Sequence, residues 1–335
     1  MSGSISATMR AMVAADGLAW QNLYRRAHLL PSWTRRKRRE IEAEHEVHGI
    51  IDEALPFTLN QPTAAFRNSP GVNSEWLAFQ LKILIDSGGR YDREAAMEAW
   101  RDLAGRRDTL RLTVGQHAAL KNIATGVTAP TSGHDNPHYF DDSACFRAVA
   151  LVCANRGDLR SAVVSDAEVS NAQDGIWAAQ ALAAALRVAL DGADAGTAVT
   201  LARESVPAGS WSSIEIERAL SHSSEAAGLF GLIECLANDS TNHAYDYGNS
   251  APETLAITLA ILDFTGGELQ PSLLAALSLP KTAASVAPMV GALCGALGTA
   301  NEFHFESAPL QGLALPHLAG LRPLSLLDEL LTSTF

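Results

Sequence analysis

Apolar positions along this chain recur at helical spacing, and strictly alternating β-branched runs bounded by turns are missing. The segment DGIWAAQALAAALRVAL (174–190) carries apolar residues on nearly every face, which predicts a buried central helix. APETLAITLAILDF (251–264) opens with Pro252 and Glu253 in its first turn and is followed by Gly266-Gly267, which places both ends of a second helix. SEWLAFQLKILIDSGG (74–89) and DREAAMEAWRDLAG (92–105) are amphipathic, and each stops at glycine. From Ser285 onward, SVAPMVGALCGALG predicts a small-residue helix packed tightly into a core, with Gly291 and Gly295 four apart. The pattern as a whole predicts an all-α fold of about a dozen helices.

Two polar segments interrupt the helices: 125–142 (TGVTAPTSGHDNPHYFDD) and 238–250 (NDSTNHAYDYGNS). Loops of this length and polarity in a compact helical fold are usually functional or disordered, and their His, Tyr, Asp and Asn content favours function. Neither resembles an interdomain linker and no internal repeat is visible, so residues 1–335 are expected to form a single domain.

Composition then narrows the partners. The 335 residues are 47% hydrophobic and 19% charged, enough for a substantial core, and the net charge is −12. That balance argues against nucleic acid, whose phosphates need a basic face. The run Arg35-Arg36-Lys37-Arg38-Arg39 is followed by Glu40, Glu42, Glu44 and Glu46, which reads as a solvated helix with its own charge pairing. Cys145, Cys153, Cys235 and Cys294 stand singly among apolar residues, without metal spacing. The N-terminus lacks a signal-peptide plan, with Asp16 inside its apolar stretch, and no apolar run reaches the ~20 residues a bilayer needs. The expectation is a soluble cytoplasmic protein, a monomer or weak dimer, with no membrane partner.

The order of these pieces resembles the ADP-ribosylglycohydrolase family from about residue 8 to 301. That family is an all-α fold whose members typically hydrolyse N- or O-glycosidic bonds of ADP-ribose with two magnesium or manganese ions. Its Gly-Asp-Ala-x-Gly motif looks like Ala15-Asp16-Gly17-Leu18-Ala19 here, and its Thr-Asp-Asp-Thr-Glu motif falls on Gly71-Val72-Asn73-Ser74-Glu75. SACFRAVALVCANRGD (143–158), around Arg147-Ala148, is similar to a family segment built on an Arg-Ala pair. DAEVSNAQDGIWAA (166–179) looks like one bacterial branch, with Asn171 where histidine is usual, and VPAGSWSSIEIERAL (206–220) fits that branch too. The family's Asp-Thr-Asp-Thr turn falls on Thr282-Ala283-Ala284-Ser285, where both aspartates are absent. Magnesium wants several hard oxygen ligands in near-octahedral order, normally with carboxylates among them. Asn73 and Thr282 alone cannot hold two dications, so the resemblance implies a kept scaffold, a lost metal site and no metal cofactor.

Two functions remain open. One is a metal-independent enzyme cleaving an N-glycosidic bond of a ribosyl, nucleotide or NAD-derived substrate, with a carboxylate stabilising an oxocarbenium-like state and activating water. Glu75 is the first candidate for that carboxylate and Asp16 the second; either could instead cap a helix or turn. Expected substrate contacts are Asn73, Ser74, Asp141, Asp142, Asn171, Thr282 and Ser285, with Arg147 gripping a phosphate or an internal acid. His243 and Tyr245 could stack on a ring, and Lys281 could supply one positive charge where two dications are gone. The other function is a catalytically inactive member that binds a nucleotide-like ligand or a protein partner.

Overall fold

The computed structural model describes residues 2–28, 69–154, 156–244, 247–300 and 308–332. The basic run 35–39 and the acids that follow it lie outside the described residues, as does Tyr245. Among the described residues the chain forms fifteen α-helical segments and no strand. In chain order these are α1 (Ser2–His28), α2 (Val72–Asp86), α3 (Arg93–Gly105), α4 (Val114–Ala124), α5 (Thr131–His134), α6 (Ser143–Ala154), α7 (Leu159–Ala167) and α8 (Asp174–Leu190). Then come α9 (Ala195–Glu204), α10 (Trp211–Glu225), α11 (Leu229–Cys235), α12 (Ala251–Thr265), α13 (Leu269–Leu277), α14 (Ala283–Ala296) and α15 (Pro323–Thr332). A π-helical turn, Leu236–Ser240, follows α11.

Local signals account for many of the ends. Asp92, Asp158, Asp194 and Ser210 each accept a first-turn amide with their own side chain, and Thr113 and Gln116 form a full capping box on α4. α12 ends at Gly266 in the left-handed conformation, φ 62°. The polar segment 125–142 is less open than its composition suggests. It carries α5, and Ser132 and Asn136 are buried, bonded to the carbonyls of Val169 and Ser170.

One hydrophobic cluster runs from Ile5 to Leu330 and joins helices from both ends of the chain. Its tightest contact is α1 against α14. The Gly291–Gly295 spacing explains how: a Cβ on Gly291 would lie 2.5 Å from the Ala11 carbonyl oxygen, and one on Gly295 2.5 Å from the Thr8 Cα. Two missing side chains on one face let two backbones touch, and α14 stays helical through Pro288. No helix among the described residues is long and apolar enough to cross a membrane.

Candidate functional site

The segments 71–75 and 281–285 face each other, as the motif order predicts. Asn73, in the first turn of α2, donates from Nδ2 to the Ala284 carbonyl in the first turn of α14 at 2.6 Å. On one side of this contact stands Asp16 of α1. The N-cap of α2 is Gly71, which has no side chain to cap with, and the capping acceptor comes instead from Asp16. Asp16 Oδ2 takes the Ser74 amide at 2.8 Å and the Ser74 hydroxyl at 2.6 Å. Glycine at 71 is what allows this approach, because a Cβ there would sit 2.7 Å from Asp16 Oδ1.

On the other side stand Asp141 and Asp142, at the entry to α6. Asp141 is filled by donors: the Ser143 amide and hydroxyl and Asn171 Nδ2 on Oδ1, and the Thr113 hydroxyl on Oδ2. Asn171 also donates to the carbonyls of Tyr139 and Asp141, so this asparagine ties the 138–142 segment to the start of α8. Asp142 Oδ2 accepts from Thr254 in the first turn of α12 at 2.9 Å, and its carboxyl also meets the Ser285 hydroxyl of α14. Burial, and then the neighbouring Asp141 charge, push the Asp142 carboxyl well above its ordinary range. A polar seam therefore runs Asp16–Ser74–Asn73–Ala284–Ser285–Asp142–Thr254 across four helices and the entry to α6. Its acids are buried, whereas Val72 and Ala284 are half-buried and face outward more than they do. Thr282 Oγ1, wholly buried at the start of α14, and Ser250 Oγ, at the start of α12, have no hydrogen-bond partner.

Several expected site residues turn out to be occupied elsewhere. Glu75 is fully buried, and its oxygens accept the amides of Leu313, Ala314 and Leu315 at 2.5, 2.7 and 2.8 Å. Burial pushes its carboxyl up and these amides pull it back. It anchors the C-terminal segment to α2, a partnership in a part of the chain that no motif marked. Arg147 is no phosphate grip: it is 0% exposed, bonded through Nε to Asp166 at 2.8 Å and through Nη2 to Ser170, and packed beside the stacked Trp76 and Trp100 rings. Lys281 is no substitute for a dication either. Its ammonium lies 2.9 and 3.0 Å from the Glu253 carboxylate and 2.6 Å from the Asn242 carbonyl, so its charge is matched. His243 is exposed, with its Nε2 2.8 Å from the Ala237 carbonyl.

The sequence reading missed a string of rings beside Asp141. His138 lies 5.6 Å from Phe140 and 5.1 Å from Tyr247, and Phe140 lies 5.3 Å from Trp211. Trp211 and Tyr247 are 37% and 41% exposed, enough to offer ring surface to a flat ligand. The aromatic residues inside the two polar segments were the available signal; that Trp211, from a helix, joins them was not.

The donor set can be tested against a metal pair. Among the described residues, no three His, Cys, Asp or Glu side chains gather as a metal site would require. Asp16 is held by the Ser74 amide and hydroxyl, and Asp142 by the Thr254 hydroxyl. The residues present do not fit two magnesium ions.

Asp16 gives this seam a pH signature. Burial pushes its carboxyl from the ordinary 3.8 up to about 6, against the pull of Ser74. The folded state then binds this proton more tightly than the unfolded chain does. Its stabilising contribution is complete below about pH 4 and is lost as pH rises through about 6, roughly 3 kcal/mol in all. Urea unfolding of the wild type and Asp16→Asn should show their stability difference shifting by most of that amount, about 2 kcal/mol, between pH 4 and pH 7. Parallel curves would show that Asp16 does not titrate in this range.

Comparison with known proteins agrees with the helical order. The family model described as ADP-ribosylglycohydrolase matches residues 17–315. A solved structure described as an "ADP-ribosylglycohydrolase-related protein complex" superposes with a TM-score of 0.54 at 18% sequence identity, covering 98% of this chain and 99% of that one. No curated protein matches the chain.

Proposed function

The chain belongs to the ADP-ribosylglycohydrolase family, and we propose that it uses the family scaffold to bind a nucleotide-like ribosyl ligand without a metal pair and without the metal-assisted hydrolysis. One observation carries this reading: every acid along the seam is already engaged by a donor of the protein itself. Asp16 has Ser74, Glu75 has three amides, Asp141 has four donors, Asp142 has Thr254 and Ser285, and Glu253 has Lys281. A carboxylate held by the protein's own donors has fewer acceptor sites left for a dication or a water. The exposed rings of Trp211 and Tyr247 supply a stacking surface for a base.

A metal-free glycosidase is the second reading, and Asp16 is the residue that favours it. A carboxyl held near 6 is poised for general-base work close to neutral pH. A thermal-shift screen of NAD, ADP-ribose and nucleosides in EDTA, followed by chromatography of each mixture, separates the two. The binding reading expects one of these to stabilise the protein, by about 2.7 kcal/mol at 100 times its dissociation constant, and to be recovered intact. Metal-free cleavage that disappears in Asp16→Asn would establish the glycosidase, and a screen with no stabilising ligand would remove both.

A further inference from the structure

Away from the seam, the contact between α2, α3, α6 and α7 holds a cluster of buried polar atoms whose needs complement one another. In the Arg147–Asp166 pair at its centre, Nε reaches the carboxylate through Oδ2 and Nη2 reaches the Asp166 backbone carbonyl, while Arg147 Nη1 and Asp166 Oδ1 have no partner, although their side chains are 0% and 1% exposed. Trp100, whose ring lies 5.1 Å from the guanidinium carbon, is fully buried with its Nε1 unpartnered. Tyr91, between α2 and α3, meets the Ser165 side chain with its hydroxyl; burial first, and then the Asp166 charge, hold its phenol above the ordinary range. On α2, one turn beyond Trp76, Gln80 is wholly buried with neither end of its amide bonded.

Buried polar groups in folded proteins are almost always satisfied, if not by protein then by ordered water. Here the unmatched atoms around the ion pair comprise two donors (Arg147 Nη1, Trp100 Nε1) and an acceptor (Asp166 Oδ1). We propose that an internal water molecule is bound at this junction, accepting from Arg147 Nη1 and donating to Asp166 Oδ1, with the Trp100 Nε1–H as its remaining neighbour. Water alone has the required chemistry. An anion would meet the Asp166 carboxylate and a cation the Arg147 guanidinium, whereas a water accepts two bonds, donates two, and typically makes about three in such a site. The bound water is a structural part of the support beneath α6, the helix whose first residues follow Asp141 and Asp142.

The test is a crystal structure of the full chain at a resolution that shows ordered waters, joined to oxygen-17 relaxation dispersion in solution. The expected density peak lies about 2.7–3.2 Å from both Arg147 Nη1 and Asp166 Oδ1. The double variant Arg147→Met/Asp166→Leu, which replaces a buried ion pair with apolar groups of similar volume, should lose at least one long-lived water. If that variant does not fold, the wild-type density decides alone. A dry junction in which Arg147 Nη1 bonds Asp166 Oδ1 directly, or a folded double variant with an unchanged count of long-lived waters, would overturn the proposal.

Discussion

Glu75→Ala is expected to destabilise the protein by about 3–6 kcal/mol. The substitution leaves the amides of Leu313, Ala314 and Leu315 without their acceptor; the two buried ones cost about 1–3 kcal/mol each and the half-buried Leu313 amide less. The loss should be local first. The segment from Leu310 to Leu330, whose leucines complete the core against α1 and α2, is fastened at this point, so limited proteolysis should cut there before the rest of the chain opens. Glu75→Gln should fall between the wild type and alanine, because a neutral amide gives up the charge-assisted bonds and turns its own NH2 toward a donor. This differs from what a catalytic carboxylate would show, since glutamine there would leave folding untouched. A loss below about 1 kcal/mol for Glu75→Ala in urea unfolding would mean that the amides find other acceptors.

The second large effect is expected at the α1–α14 contact. Gly295→Val adds a branched side chain where the first carbon alone would lie 2.5–2.7 Å from backbone atoms of Ala7 and Thr8. Backbone cannot rotate aside as a side chain can, so α1 must shift along its length. The expected cost is at or above the upper end of ordinary overpacking, about 3 kcal/mol. Gly105→Ala is the matched control, since nothing lies within 4 Å of a Cβ there and alanine favours helix by up to about 1 kcal/mol. Equal stabilities for the two variants would show that the helices are not in backbone contact.

These two positions also mark what could and could not be read from the chain. The Gly291–Gly295 spacing announced a tight helix contact because the signal lies within four residues. The helix limits of 174–190 and 251–264 were legible for the same reason: apolar period, Pro252 and the Gly266-Gly267 stop are all local. Glu75 was not legible. An acid in the first turn of a helix looks like a catalytic or capping group, and nothing near it in sequence reveals that its partners lie more than 230 residues away. Asp16 shows the same limit, since it caps α2 from 58 residues upstream, and Asp174 does the like for Ser212 on α10. Lys281 read as a free charge because Glu253, 28 residues earlier, is brought to it only by the packing of α12 beside α14. Charges and caps satisfied at long range are invisible to periodicity, and they account for most of the reassigned residues.

The central claim is that this member of the family holds its 71–75 and 281–285 segments together by hydrogen bonds rather than by metal. Calorimetric titration of the full chain with MgCl2 and with MnCl2 addresses it most directly. The account predicts no saturable heat below millimolar metal, because the carboxyls of Asp16 and Asp142 are engaged by Ser74, Thr254 and Ser285 and no three metal-ligating side chains gather among the described residues. A tight two-site isotherm would contradict it.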